Sequence, residues 1–450
     1  MAVPTIEPVI GGRSATSSDR SPLIDVFGQE LADVGVLPRL GVQAAVDQLR
    51  RAADGQRAEP AIFVRAARLF ADAELDGQSV EQYVSQVVRG TGLPSATVRR
   101  AIADMVAELE ALPRITESEL PAPVAERGHH TRWVPAGGVF AAIMASNHPL
   151  PHSTWVQALF VGYSVAVRPG SRDPFTPRRL VSALLAAGLP ADKVALLPCT
   201  QAVGSFLLRS VDRGIIYGND AAVRDWRDRR QVTTRGPGRS RALLDCPLTE
   251  PILDHLVTSA SYDGGTRCTN LSAVLTSGPV AETADRLAAR LAQLPVRPAM
   301  DPAAQLLVLG RDRADAMNRL IAKLGTELGD HSTPHYDGGF LVDLGDGSFL
   351  PRPMVLSAER ADHPAVGMEL GFPFVVVAPW TEPDGVRPLS PALVLNLLTD
   401  NDDIRERAIA DPGIRKITCG TASPWDLIPG IPHDGNYSQF LLEPKGIVAA

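Results

Sequence analysis

The sequence predicts an α/β enzyme of two lobes, and three observations carry that prediction. Short apolar runs recur between helix-like stretches, at 139–145, 164–168, 194–197 and 213–217. Such runs read as buried parallel strands, and their alternation with helices makes βαβ units. The first run ends in Ser146, Asn147, His148 and Pro149, and polar groups at the carboxyl end of a strand mark the ligand side of an open α/β sheet. Far downstream, Cys268 follows Gly264, Gly265, Thr266 and Arg267. The two glycines allow a tight turn and a close approach to a ligand.

The elements follow in chain order. Residues 1–21 lack an apolar signal core and read as a mobile tail. From Pro22 to Leu112, apolar and charged positions alternate at helical spacing, clearest between Val98 and Leu112, which predicts a helical layer. Residues 119–134 are poor in helix signals and read as an arm. The nucleotide-type lobe runs to Asp245, so that 22–245 forms one unit with the helical layer. The second lobe, 246–420, holds a helix from Pro251 to Ala260, the Cys268 segment, helices at 280–293 and 314–328, an apolar strand from Phe374 to Ala378, and a helix–strand unit at 391–419. The tail 421–450 closes the chain. No repeat or low-complexity stretch interrupts it.

Composition narrows the function. A chain of 450 residues with 45% hydrophobic content buries a core in two or three lobes. The net charge of −7 comes without a basic stripe, which disfavours nucleic acid as a partner. No apolar run approaches the ~18 residues of a membrane span. Four widely spaced cysteines (199, 246, 268 and 419) suit a reduced cytoplasm, and they offer neither a disulfide framework nor a metal-ligand spacing.

Several side chains carry chemistry, each beside a plainer reading. Cys268 is a candidate nucleophile, active as its thiolate and favoured by the neighbouring Arg267, or else a small buried residue. Asn147 donates to a developing oxyanion, worth up to about 3 kcal/mol, or merely turns the chain before a proline. After the strand 164–168, Arg168, Pro169, Gly170, Ser171 and Arg172 form a Gly/Pro turn where an adenosine ribose would lie. Ser171 with Arg172 suits the 2′-phosphate of NADP, whereas a carboxylate there would suit NAD; Asp173 is the residue able to reverse that preference. Gly218 precedes a helix start, whose amides suit an anion, with Asp220 as the helix cap. His129 and His130 read as surface residues, His255 as a packed histidine, Tyr262 as core or a thiohemiacetal partner, and Cys246 as an inert buried thiol.

In order and spacing, Asn147 in its strand-end Asn-x-Pro, the Arg-Pro-Gly-Ser turn and Gly-Gly-Thr-Arg-Cys268 resemble the aldehyde dehydrogenase superfamily over residues 136–380. Ser-Arg-Asp-Pro-Phe (171–175) and Tyr-Asp-x-x-x-Arg-Cys (262–268) look closest to its acyl-CoA reductase branch, the bioluminescence-type fatty acyl reductases. The resemblance implies a Rossmann-type cofactor lobe, an α/β catalytic lobe, a small oligomerisation arm at 119–134, and a C-terminal tail packed on a neighbouring subunit of a homodimer or homotetramer. It also implies Cys268 and Asn147 as catalytic residues, NADP(H) as preferred cofactor with NAD(H) the alternative, Glu369 as the carboxylate on the nicotinamide ribose, and a pyrophosphate at Gly218 and the amides after it.

Three departures stand out. Arg235 or Thr234 occupies the place of the family's hydrolytic Glu, and an arginine cannot accept a proton near neutral pH. The phosphate segment reads Ile-Ile-Tyr-Gly-Asn-Asp (215–220), and Glu-Leu-Gly-Phe-Pro (369–373) replaces the usual Glu-x-Phe-Gly-Pro. Without the Glu, reduction of an acyl thioester, bound to CoA or to a carrier protein, is the expected chemistry. Oxidation of an aldehyde with His148 or His152 as substitute base is the alternative, and a non-catalytic assembly subunit is the third.

Overall fold

In the computed structural model, which describes residues 3–122, 125–126, 129–426 and 428–448, the apolar runs become the centres of two seven-stranded sheets. The N-terminal segment supplies β1 (Thr5–Ile6), β2 (Val9–Ile10), β3 (Arg13–Ser14), β4 (Arg20–Ile24) and β5 (Glu30–Gly35). This corrects the expected mobile tail. Ile6 is fully buried, β1 runs parallel to β5, and Val9 pairs with Leu196 at the edge of the first large sheet. Three short apolar steps too brief to show a period are held by long-range pairing.

The helical layer comprises α1 (Arg39–Ala52), α2 (Pro60–Asp72), α3 (Val80–Thr91) and α4 (Ser95–Ser118). A capping box starts α3, with the Ser79 hydroxyl and the Gln82 side chain each bonded to the other residue's amide. Then come β6 (Ala125–Glu126), β7 (His129–Pro135), β8 (Val139–Ile143), α5 (Ser153–Val161), β9 (Ser164–Arg168), α6 (Phe175–Ala186), β10 (Val194–Leu196), α7 (Gln201–Arg209), β11 (Arg213–Tyr217), α8 (Asp220–Val223) and β12 (Val232–Arg235). The first large sheet has the order β12-β11-β8-β9-β10-β2-β3. From β8 the chain runs outward one way through β9 and β10, and the other way through β11 and β12. The strand order therefore reverses between β8 and β11, which puts the ligand crevice outside their carboxyl ends.

The catalytic lobe contains β13 (Ser240–Asp245), α9 (Glu250–Ser261), β14 (Leu271–Thr276), α10 (Val280–Leu291), β15 (Leu309–Gly310), α11 (Arg311–Leu324), β16 (Gly329–Asp330), β17 (Leu341–Asp343), β18 (Ser348–Pro351), β19 (Met354–Ser357), β20 (Phe374–Pro379), β21 (Ala392–Thr399), α12 (Asp402–Ala410) and β22 (Ile414–Cys419). Its sheet has the order β16-β19-β20-β14-β13-β21-β22, parallel except at the β16 edge. Strand β13 was expected in the first lobe but lies at the heart of the second, between β14 and β21. A buried apolar strand fits either sheet by composition, and only pairing decides. The crossing between lobes is thus the four-residue link 236–239.

The chain ends in α13 (Tyr437–Leu441) and β23 (Leu442–Ile447). The C-terminal strand, expected on a neighbouring subunit, pairs antiparallel with this chain's own β7, from Leu442 opposite Pro135 to Ile447 opposite His130. With β6 it makes a three-stranded arm. Among the described residues, no helix is long and apolar enough to cross a membrane.

Candidate active site

The nucleophile turn lies between α9 and β14, at the amino end of the catalytic sheet and facing the carboxyl ends of β8, β11 and β12. Asp263, Gly264 and Gly265 adopt consecutive left-handed conformations, with φ of 52°, 73° and 72°. The two glycines do so freely, while Asp263 needs outside support. A side chain at Gly265 would strike the backbone of Phe372 and Pro373. Asn270 closes the turn, its Oδ1 accepting from the Arg267 amide at 2.7 Å and its Nδ2 donating to the carbonyls of Ser259 and Tyr262 at 3.0 Å each.

Support for Asp263 comes from three cationic or imidazole partners. Its side chain is completely buried and meets Arg100, Arg267 Nε at 2.6 Å and His148 Nε2 at 3.2 Å. Burial raises its pKa, but His148, Arg267 and Arg100 prevail and hold it at about 2. Arg267 also reaches Asp104 at 3.1 Å. The expectation that Arg267 favours the thiolate therefore fails, because its charge is committed to Asp263 and Asp104.

Cys268 is half-buried. Its carbonyl accepts from the Ser240 hydroxyl at 2.9 Å, and a side chain at Gly238 would collide with that same carbonyl. Burial, followed by the charges of Glu369 and Asp434, pushes the thiol up to about 12, with Arg235 working the other way. Asn147 reaches this turn, its Nδ2 donating to the Thr266 carbonyl at 3.0 Å across 119 residues of sequence. The structure thus brings Asn147 and the Cys268 loop together.

The two histidines expected as substitute bases are otherwise engaged. His148 is 4% exposed; its Nδ1 accepts from the Leu150 amide and its Nε2 faces Asp263. His152 is fully buried, accepts from Trp155 Nε1 at 2.9 Å, and is driven by burial down to about 3. In both rings Nδ1 is the engaged acceptor, while His152 Nε2 is buried without a partner.

Arg235 ends β12 and meets the C-terminal segment. Its Nη1 donates to the Asp434 carbonyl at 2.7 Å and lies 2.5 Å from Asp434 Oδ2. Thr234 sits one residue earlier on the same strand. Sequence reasoning missed Asp434, which sits in a stretch without periodicity 166 residues beyond Cys268. It also missed Trp425, which stacks on Tyr262 with centroids 4.3 Å apart and planes 8° from parallel.

The cofactor candidates gather along the crevice. Arg168 Nε donates to the Cys199 carbonyl, and a side chain at Gly170 would collide with Ala145 and Ser146. Ser171 is exposed, while the Arg172 amide donates to the Ser146 hydroxyl at 3.0 Å. Asp173 is 1% exposed and bonds the Thr176 amide and hydroxyl at the start of α6; it is out of reach of a ribose. Gly218 precedes α8, which has four residues and is capped by Asn219. The expected cap, Asp220, is instead paired with Arg227 and Arg239 at 2.5 Å each. Glu369 Oε1 accepts from the Arg239 amide at 2.5 Å, and burial raises this carboxyl to about 7 against the pull of the Arg239 and Gly238 amides.

A cavity of about 910 Å³ opens on the Glu369 side, bordered by Asn219, Asp220, Arg239, Arg241 and Glu369 among others. The remaining residues take quiet positions. His255 is buried against Asn396 at 3.2 Å, and His129 and His130 lie on the exposed arm. Cys246, expected buried, is partly exposed, because it sits just past the end of β13.

Comparison with known proteins agrees with this architecture. Residues 16–386 match the model of the aldehyde dehydrogenase family. The N-succinylglutamate 5-semialdehyde dehydrogenase of Caulobacter sp. (strain K31) is 28% identical over 279 residues, 55% of this chain and 58% of that protein. The protein of the same name from Vibrio cholerae serotype O1 (strain M66-2) is 30% identical over 179 residues, 39% of this chain and 36% of its own. The chain thus spans less than two thirds of the length of either relative. Among solved structures, the γ-glutamyl-γ-aminobutyraldehyde dehydrogenase of Burkholderia cenocepacia superimposes with a TM-score of 0.80 at 19% identity, over 98% of this chain and 96% of that one. The NAD+ complex of a Bacillus cereus aldehyde dehydrogenase gives 0.81 at 16% identity, over the same shares. The chain belongs to the aldehyde dehydrogenase family.

Proposed function

We propose that the protein oxidises an aldehyde to its acid with a nicotinamide cofactor, through an acyl-enzyme on Cys268. The observation that carries this reading is the Asn147–Thr266 bond, which sets a side-chain amide beside the thiol's own turn. The relatives' names, all semialdehyde dehydrogenases, favour oxidation over the thioester reduction anticipated from position 235.

The residues fit a dinucleotide. Gly170 keeps its turn tight against Ser146, the exposed Ser171 and the adjoining Arg172 offer donors to an adenosine ribose or its 2′-phosphate, and a separate cavity is lined by Asn219, Arg239 and Glu369. With Asp173 committed to α6, no carboxylate competes at that turn, and NADP(H) is the cofactor we favour over NAD(H). When bound, the cofactor supplies the hydride acceptor. The chain does the rest. Cys268 attacks the carbonyl carbon as thiolate, and Asn147 Nδ2 with the Cys268 amide steadies the oxyanion. After hydride loss, water breaks the thioester and frees the thiol.

A second reading, reduction of an acyl thioester of CoA or a carrier protein, is favoured by one observation: an arginine stands where the water-activating carboxylate is expected. A panel of aldehydes and acyl-CoAs, followed at the nicotinamide absorbance with both cofactors, separates the two. Oxidation of aldehydes without CoA supports the first; turnover only with acyl-CoA or added CoA overturns it. For assembly, we propose self-association through the arm of β6, β7 and β23, which size-exclusion chromatography with light scattering tests.

A further inference from the structure

We propose that Asp434 is the catalytic base that hydrolyses the Cys268 acyl-enzyme, with Arg235 as its positioning partner. The inference rests on the aldehyde-oxidation reading and names the group that completes it. Hydrolysis needs a proton acceptor beside the thioester, and a positioned side chain in that role contributes about 10²–10⁴-fold. Position 235 holds a guanidinium, which accepts no proton. The same guanidinium, however, carries a carboxylate with it. Arg235 Nη1 holds Asp434 by two oxygens, Oδ2 at 2.5 Å and the backbone carbonyl at 2.7 Å. Two contacts to one residue fix its place as well as its charge.

Arg235 is three residues before Gly238, whose backbone abuts the Cys268 carbonyl so closely that no side chain fits. A carboxylate fastened to Arg235 is thereby three residues along the chain from the Gly238–Cys268 contact, and the thiol feels its charge. Access is adequate, since the Asp434 side chain is 21% exposed. Its second oxygen, Oδ1, has Arg415 Nε 4.0 Å away, too far for a hydrogen bond, so a water can bond it.

The histidines expected as bases accept at Nδ1 from the Leu150 amide and the Trp155 indole, and Glu369 Oε1 accepts from the Arg239 amide; His433, next to Asp434 in the chain, keeps a buried Nδ1 without a partner. In the step itself, water gives one proton to Asp434 Oδ1 as its oxygen bonds the acyl carbon. The carbon–sulfur bond then breaks, Cys268 leaves as thiolate, and the proton on Asp434 passes to solvent. No external reductant or oxidant is required.

The test uses the full chain, an oxidised aldehyde from the panel and the preferred cofactor, with rapid-mixing absorbance for the first turnover. Asp434→Asn is expected to form reduced cofactor in the first turnover at close to the parent rate, then to turn over at least ~10²-fold more slowly. Added hydroxylamine, a nucleophile needing no base, is expected to restore steady turnover as it cleaves the trapped acyl group. In Asp434→Asn, a second change, Arg235→Glu, supplies a carboxylate on β12 itself and is expected to recover at least tenfold. Unchanged steady turnover in Asp434→Asn overturns the proposal. So does loss of the first turnover together with the steady rate, which marks a merely structural residue. Absence of a first turnover in the unaltered protein counts against aldehyde oxidation itself and not against the placement of the base.

Discussion

Asp263 and Asp434 both pair with arginines beside the nucleophile turn, yet they sit in opposite surroundings. Asp263 is fully buried, shares two arginines and a histidine, and carries a left-handed backbone conformation. Asp434 is partly exposed, and its one close cation is Arg235. The first carboxylate takes three donors, one on Oδ1 and two on Oδ2, and is closed off from water. The second keeps one oxygen, Oδ1, whose nearest cation, Arg415 Nε, is 4.0 Å away. Full satisfaction makes a group structural; partial satisfaction leaves it able to act.

The largest expected effect strikes the saturated carboxylate. Asp263→Ala leaves Arg267 with Asp104 alone and removes the contacts of the strained turn, and breaking a buried pair from one side costs about 3–5 kcal/mol. Urea unfolding measures this, and a loss below 1 kcal/mol would make the hub ornamental.

Asn147→Ala comes next. Removing one oxyanion donor should slow first-turnover acylation by about 10²-fold while the urea midpoint stays put. An unchanged rate would reduce Asn147 to a turn residue.

A third effect follows from linkage. With Asp263 held at about 2 in the folded chain against an ordinary 3.8, its stabilisation is complete above pH ~4. It is lost as pH falls towards 2, by about 2 kcal/mol. Acid titration of the unfolding midpoint should show that loss in the parent and not in Asp263→Asn.

Thiol reactivity offers a smaller effect. Because Cys268 is raised to about 12, its alkylation by iodoacetamide should climb about tenfold per pH unit through neutrality. Arg235→Gln should slow it at every pH, since Arg235 is the cation that favours the thiolate. A plateau below pH 8 would contradict this. The smallest effect is predicted for the stability of Asp434→Asn, within about 1 kcal/mol of the parent because the pair is partly exposed. A larger loss would erase the contrast between the two carboxylates.

Much of the fold was legible in the sequence because its central strands are short, apolar and bounded by turns. Strands β9 and β11 begin and end where those runs do. The turn at Cys268 and the polar end of β8 were legible too, since each carries its chemistry within ten residues. Asp434 was not, because nothing local distinguishes it: it matters only through Arg235, 199 residues away. Nor was the role of Arg267, whose neighbour in sequence is Cys268 while its partners in space are Asp263 and Asp104.

The sequence by itself determined the central strands β8 to β11, where the glycines permit a turn, and that a thiol and an amide lie in two loops. Those properties are local, set by periodicity and backbone sterics. The tertiary structure alone decided that β13 joins the second sheet, that the N-terminal segment is pinned, that His148 meets Asp263, and that a carboxylate from the C-terminal segment pairs with Arg235. Each of these depends on which group wins a shared donor or a shared edge, and that competition is settled only when distant parts of the chain meet.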